Sequence, residues 1–332
     1  MEVRQNSLRA WFLAARPKTL FGAVSPVLVG AALAWATLAA LGQGTTRWIV
    51  PSLLCAVFAL VMQIDANFIN DYFDFIRGAD SEERLGPERA CTKGWISPRA
   101  MKRGIAITST LAFITGLPLI FYGGYAMLAV GLLCILGAFL YTTKFSYTAL
   151  GDTMVVLYFG IVPVFFTWFT STWLFCNITA YYFLMGALAL IAGFAVGFIV
   201  DNLLIVNNYR DRELDARNGK RTLVVRLGAK AAEWLYLING CVATIGAMIV
   251  GGWLARGVAL KSEANLWAFP FHLVLPLLFL PFLFKVHRKM VELNHGRELN
   301  SILGKTSRNI LIFSLLFVVL IVVEVLPVWY NG

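Results

Sequence analysis

Two stretches concentrate acidic and amide side chains in an otherwise apolar chain: QIDANFINDYFDF at 63–75 and DNLLIVNNYRDRELD at 201–215. On a regular helix, turning about 100° per residue, Gln63, Asn67, Asn70, Asp71 and Asp74 share one arc of about 100°. Asp65 falls on the opposite side and reads as structural. In the second stretch Asn207, Asn208, Asp211, Asp215 and Asp201 gather in the same manner. Carboxylate and amide oxygens without His or Cys suit a hard cation such as Mg²⁺, which is held by a few carboxylates and completed by substrate phosphates. Basic residues stand beside both stretches: Arg77, Arg84, Arg89 and Lys93 after the first, Lys220 and Arg221 after the second. Oxygen donors for a metal, with cations for an anion close by, make a diphosphate clamp.

The two stretches also resemble each other. NDYFD (70–74) aligns without gaps on NNYRD (207–211), and each closes a long apolar segment. Four apolar segments lie between them, an even number, so the repeat is parallel and sets both acidic clusters at the same membrane face. A transporter with an intramembrane cation site is the rival from another class, but such proteins more often carry inverted repeats and broken helices.

The elements that must carry these residues are membrane helices. The 332 residues are 59% hydrophobic and 14% charged, with a mean hydropathy of +0.74, against about 25% charged in soluble domains. Forty residues between Arg103 and Lys144, and forty-eight between Asp152 and Asp201, carry no charge. Forty helical residues would span about 60 Å, twice the hydrocarbon core, so each run must fold into two helices. Apolar segments at 20–41, 48–69, 103–121, 125–142, 153–173, 180–206, 233–255, 267–285 and 308–329 predict an all-α polytopic membrane protein of about nine spans, one domain over 1–332. With the N-terminus cytoplasmic, 25 of the 28 Lys and Arg fall on the cytoplasmic side, leaving Arg47, Arg256 and Lys261 outside. The net charge of +10 thus reflects topology rather than a nucleic-acid surface. The start of the chain reads as a basic interfacial helix without a cleavage site. Cys55, Cys91, Cys134, Cys176 and Cys241 show no C-x-x-C spacing, and His272, His287 and His295 lie far from the acidic clusters. Phe68, Tyr72, Phe73, Phe75, Tyr141, Tyr147, Tyr158 and Phe159 read as packing or belt aromatics, some of which could line a pocket and stabilise a cation by their ring faces.

At these residues the chain resembles the UbiA superfamily of membrane prenyltransferases, and within it the branch acting on 1,4-dihydroxy-2-naphthoate. The resemblance is carried by ARPKTL (15–20), NFINDYFDFIRGADSEERLGPERA (67–90), TALGD (148–152) and VNNYRDRELDARNGKRTLVVRLG (206–228). It implies nine helices around a central cavity that binds Mg²⁺ and an isoprenyl diphosphate in a bacterial cytoplasmic membrane. It also implies transfer of the polyprenyl group to the naphthoate with loss of CO₂ and diphosphate. The metal ligands would be Asn67, Asn70, Asp71, Asp74, Asn207, Asp211 and Asp215, with Asp71, Asp74, Asp211 and Asp215 catalytic. The diphosphate would meet Arg16, Lys18, Arg77, Arg84, Lys144, Lys220 and Arg221. An acceptor such as 4-hydroxybenzoate is the alternative within the family. Two features depart from its pattern: Gly78 stands where a further Asp is frequent, with Asp80 two residues later, and YTTKFSYTALGD (141–152) lacks a Gly-Pro character.

The topology is testable by labelling. A thiol placed by Asp80→Cys or Asn218→Cys in a cysteine-free background should react in inside-out vesicles and stay silent in intact spheroplasts. The reverse pattern would invert the arrangement.

Overall fold

The computed structural model describes residues 3–43, 46–78, 85–177, 179–259 and 270–331. Helices dominate. After a short helix α1 (Leu8–Ala14) come α2 (Leu20–Ala40), α3 (Ile49–Ile76), α4 (Pro98–Gly116), α5 (Leu119–Gly123) and α6 (Ala126–Thr143). The second half holds α7 (Leu150–Val156), α8 (Val162–Thr172), α9 (Ala180–Arg217), α10 (Leu223–Leu227), α11 (Ala229–Ala259), α12 (Phe271–Leu277), α13 (Leu280–Leu293) and α14 (Leu299–Asn331). Among the described residues β-pairing is confined to one parallel bridge between Thr148 and Arg221.

The helix ends follow from local chemistry. Ser7, Ser97, Thr179 and Thr222 cap α1, α4, α9 and α10 by accepting a backbone N–H three residues on. Pro118 separates α4 from α5, and Pro276 and Pro281 flank the break between α12 and α13. Pro163 sits just past a π-helical turn (Leu157–Ile161) that joins α7 to α8 as one bent span. The wider turn absorbs the hydrogen bond a proline cannot donate.

Among the described residues, eight segments are long and apolar enough to cross a membrane. The expected segment 103–121 is the exception to the count of nine. Its helix, α4, starts at Pro98, and Arg99, Lys102 and Arg103 with Thr108, Ser109 and Thr110 lower its apolarity. α4 instead leans on α3 through a buried polar contact. Asp65, fully buried, accepts hydrogen bonds from the Thr108 hydroxyl at 2.5 Å and the Ser109 hydroxyl at 2.8 Å. The structural reading of Asp65 is the one this geometry supports.

The two helices that carry the acidic stretches are longer than a membrane crossing needs. α3, with 28 residues, and α9, with 38, would extend about 42 and 57 Å. The acidic stretches therefore stay helical beyond the expected ends at 69 and 206, so their side chains keep a fixed angular order. α9 forms the spine of the bundle. It meets the α7–α8 span where Cβ atoms are absent: a Cβ on Gly160 would stand 2.3 Å from the Gly193 carbonyl oxygen. Trp168, Tyr209, Tyr236, Phe279, Phe313 and Phe317 fill the interior around it.

Removing the Asp65 carboxylate should loosen α4 without touching chemistry. Asp65→Ala is expected to cost about 2 kcal/mol, several degrees of thermal stability in detergent, because the half-buried Thr108 and Ser109 hydroxyls lose their carboxylate partner across the helices. Turnover of the folded fraction should fall less than about threefold. A well-folded Asp65→Ala protein that is inactive would place Asp65 in the reaction.

Candidate active site

Between α2, α3, α6, the α7–α8 span and α9 lies a cavity of about 880 Å³. Its deep part is apolar, with Val27, Phe58, Met127, Val130, Phe159 and Phe166 on the walls. Asn70 and Asp74 from the end of α3 and Asn207, Asp211 and Asp215 from the end of α9 line its polar end. The two stretches thus reach one space from two walls. Each contributes oxygens at i and i+4 spacing, one helical turn apart.

Every carboxylate lining this cavity is matched by a cation. Asp74 accepts from Arg89 at 2.5 Å. Asp211 accepts from Arg210 twice, Nε at 2.8 Å and Nη2 at 2.6 Å, while Arg210 also donates to Asn300 at 2.8 Å. Asp215 faces the Lys220 ammonium at 3.0 Å. Burial lowers the Lys220 pKa, but the Asp215 carboxylate, helped by Asp74 and Tyr147, outweighs it and holds the ammonium above the ordinary lysine value. Lys220 is charged at neutral pH.

Gln63 and Asn67 line the cavity too, and also brace its wall. Asn67 donates to the Ala15 carbonyl at 3.0 Å and the Thr19 hydroxyl at 3.1 Å, and Gln63 donates to Thr19 at 3.4 Å. These bonds brace the turn in which Arg16, at φ 51° in the left-handed region, reaches the cavity wall. A non-glycine residue held there before a proline needs such bracing. Asp71 departs from the expectation of a metal ligand. It is 1% exposed, lies outside the cavity lining, and accepts the backbone N–H groups of Ala90 and Cys91, each at 2.8 Å. An arc of about 100° is wide enough to straddle two surfaces. Asn70 and Asp74 fall on the cavity side, and Asp71 falls on the side of the 90–91 turn.

The expected diphosphate cations divide likewise. Arg16 and Lys220 line the cavity. Arg77 turns to the end of α6, donating to the carbonyls of Thr142 at 3.2 Å and Thr143 at 2.6 Å. Lys144 and Arg221 are exposed outside the lining. Arg84, Asp80 and the Lys18 side chain lie outside the described residues. Sequence reasoning missed Arg210 and Asn300. Arg210 stands inside NNYRD, but nothing in the spacing says that its guanidinium turns back onto Asp211. Asn300 lies ninety residues further on.

Oxygen donors alone, on two helices at one end of a cavity, suit a hard cation. Among the described residues no three Asp, Glu, His or Cys side chains are grouped closely enough to hold a metal by themselves. A cation held here would take part of its shell from a bound anion, as Mg²⁺ commonly does with phosphates.

Residues 23–293 match the model of the UbiA prenyltransferase family. The chain is 32% identical over 327 residues to 1,4-dihydroxy-2-naphthoate octaprenyltransferase of Escherichia coli, covering 96% of each protein. It is 33% identical over 250 residues to the protein of that name from Haemophilus influenzae, covering 72% of this chain and 76% of the relative. Among solved structures, it shares a fold with a UbiA homolog from Archaeoglobus fulgidus bound to DMAPP and Mg²⁺. The TM-score is 0.56 at 15% identity, covering 95% of this chain and 98% of the other. The helical bundle, the cavity at its polar end and these likenesses agree: the chain belongs to the UbiA prenyltransferase family and is an integral-membrane prenyltransferase.

Proposed function

We propose that the protein transfers a polyprenyl group from an isoprenyl diphosphate to 1,4-dihydroxy-2-naphthoate, with loss of CO₂ and diphosphate, at the cytoplasmic face of a bacterial inner membrane. The product would be demethylmenaquinone in its reduced, quinol form, a step of menaquinone biosynthesis. The observation that carries the reading is the single cavity with two ends. Oxygen donors from α3 and α9 and their paired cations occupy one end, and about 880 Å³ of largely apolar space continues from them. A diphosphate head and a hydrocarbon tail need those two environments in contact. The names of the Escherichia coli and Haemophilus influenzae relatives support the acceptor, and the DMAPP- and Mg²⁺-bound homolog supports the donor and metal.

Asn70, Asp74, Asn207, Asp211 and Asp215 would hold Mg²⁺, which when bound supplies charge neutralisation for the departing diphosphate. Lys220 and Arg16 bind diphosphate oxygens, and the cations resting on Asp74, Asp211 and Asp215 lie within reach of the same anion. As the allylic C–O bond breaks, its electron pair leaves with the diphosphate. The apolar wall keeps water from the allylic cation until the electron-rich ring forms the new C–C bond.

Two measurements test the reading. Membranes should lose prenyl transfer in EDTA and regain it with Mg²⁺, and in an acceptor panel the naphthoate should be consumed. Full activity in chelator would remove the metal, and turnover of 4-hydroxybenzoate in its place would change the acceptor and leave the reaction class. Separately, Asp74→Asn and Asp211→Asn should each lower turnover about a hundredfold, near 3 kcal/mol in the barrier, with the protein still inserted and monodisperse. Asp71→Asn keeps one acceptor oxygen for the 90–91 turn and should cost less than about tenfold. Equal losses at Asp71 and Asp74, in equally folded proteins, would make Asp71 a ligand.

A further inference from the structure

Two cations, one after each acidic stretch, stand over one aromatic ring. Tyr147 lies in the short link between α6 and α7, in a 3₁₀ turn (Phe145–Tyr147). The Arg77 guanidinium carbon stands 4.7 Å from the centroid of its ring, and the Lys220 ammonium nitrogen stands 5.1 Å from it. Arg77 comes three residues after Asp74 on the first stretch, and Lys220 five residues after Asp215 on the second. The ring therefore touches one cation that follows each acidic stretch. The backbone of the same residue joins the halves as well: the Tyr147 carbonyl accepts the Arg221 N–H at 2.9 Å, beside the Thr148–Arg221 bridge. Its hydroxyl is buried and has no hydrogen-bond partner among the described residues.

Two like charges do not gather without something to hold them, and here three things do. Carbonyls at the end of α6 fix Arg77, the Asp215 carboxylate holds Lys220, and the negative face of the ring attracts both. The ring is the element they share. A lysine on its four-carbon stem can change its partner from carboxylate to phosphate while its stem stays against the same ring. Tyr147 does not line the cavity, so it acts through the cations rather than on substrate.

We propose that Tyr147 is a positioning residue whose ring, packed against the anchored Arg77, keeps Lys220 in place for the diphosphate end of the donor. This rests on the reading of the cavity as a prenyl-diphosphate site. It assigns the work to the ring, not to the hydroxyl.

Three variants test it in purified, Mg²⁺-loaded full-length protein: Tyr147→Phe, Tyr147→Leu and Lys220→Met. Inorganic diphosphate is the probe, measured by direct binding and by competition with the prenyl donor. Tyr147→Leu should weaken diphosphate about tenfold, equivalent to 1.4 kcal/mol, and raise the donor KM to match. The acceptor KM and the turnover at saturating donor should stay within about twofold. Tyr147→Phe should bind diphosphate within about twofold of the natural protein. In the Lys220→Met background Tyr147→Leu should cost distinctly less than alone, because one of the two cations is gone. Tyr147→Phe as impaired as Tyr147→Leu would overturn the proposal in favour of the hydroxyl, and Tyr147→Leu with unchanged diphosphate affinity would overturn it altogether. Should Tyr147→Leu fail to fold, the milder Tyr147→Phe with Lys220→Met still decides: additive losses in that pair, with Tyr147→Phe impaired, sink the ring. If the natural protein binds no diphosphate, the functional reading fails first, and that result is distinct from any of these.

Discussion

A carboxylate buried against hydrocarbon must have a partner, and this constraint organises the polar end of the molecule. An uncompensated buried charge costs several kcal/mol even after relaxation. Of the six buried or half-buried carboxylates in the two acidic stretches, Asp201 accepts from the Asn239 amide at 3.0 Å, and the other five show how the demand is met. Asp65 takes two hydroxyls from α4, and Asp71 takes two backbone N–H groups. Asp74, Asp211 and Asp215 take Arg89, Arg210 and Lys220. The kind of partner separates the tasks. Hydroxyls and backbone N–H groups belong to the fold and stay where they are, so Asp65 and Asp71 fasten α4 and the 90–91 turn. Side-chain cations on long stems can change partners, so the three carboxylates they cover can be given up to a metal while the cations turn to an anion.

The same constraint explains why the site sits at the ends of α3 and α9 rather than in the middle of the bundle. Both helices are longer than a membrane crossing needs, which carries their oxygens to a level where partners and entering ions are within reach. Their regularity keeps i and i+4 oxygens on one face. Close packing along α9 then fixes the far wall. With glycine at 160, 193 and 197, the α7–α8 span approaches to backbone contact, since a Cβ on Gly197 would stand 2.8 Å from the Val156 carbonyl oxygen. Bulk at any of the three would push the span that carries Val155 and Phe159 along the cavity.

Much of this was legible in the sequence because it rests on periodicity. Charge-free runs, their division into pairs of helices and the acidic arcs all follow from distances along a helix. The structural role of Asp65 followed from its position opposite the arc. What was not legible depends on neighbours that periodicity does not name. The arc places Asp71 beside Asp74, but it cannot say that a loop twenty residues on will offer two N–H groups at its edge. Arg89 and Arg210 are visible as basic residues, whereas their pairing with Asp74 and Asp211 is a matter of which way a guanidinium folds. Lys144 and Arg221 carry the right charge near the right residues, yet the α6–α7 link leaves Lys144 exposed and the α9–α10 link leaves Arg221 exposed. Among the described residues α4 is less apolar than the eight other spanning segments for a related reason. A helix that borrows an acidic partner from its neighbour can carry Thr108, Ser109 and a basic first turn without being apolar itself.

The divided origin of the site sets what else the structure must supply. Asp74 and Asp211 are 137 residues apart in the chain, and neither helix alone can hold a diphosphate between them. Contacts that cross from one half to the other therefore decide the site's geometry as much as its own oxygens do. One crossing runs from the Leu85 carbonyl to Asn300 at 2.8 Å and from Asn300 to Arg210, which grips Asp211. It ties the loop after α3 to α9 through the first turn of α14. The second runs through Tyr147, whose carbonyl holds Arg221 and whose ring faces Arg77 and Lys220. Neither crossing supplies an oxygen to a metal, and each depends on residues outside the repeated motif, Leu85 and Asn300 in the first and Tyr147 in the second. The repeat supplies two similar half-sites, and unrepeated residues make them one.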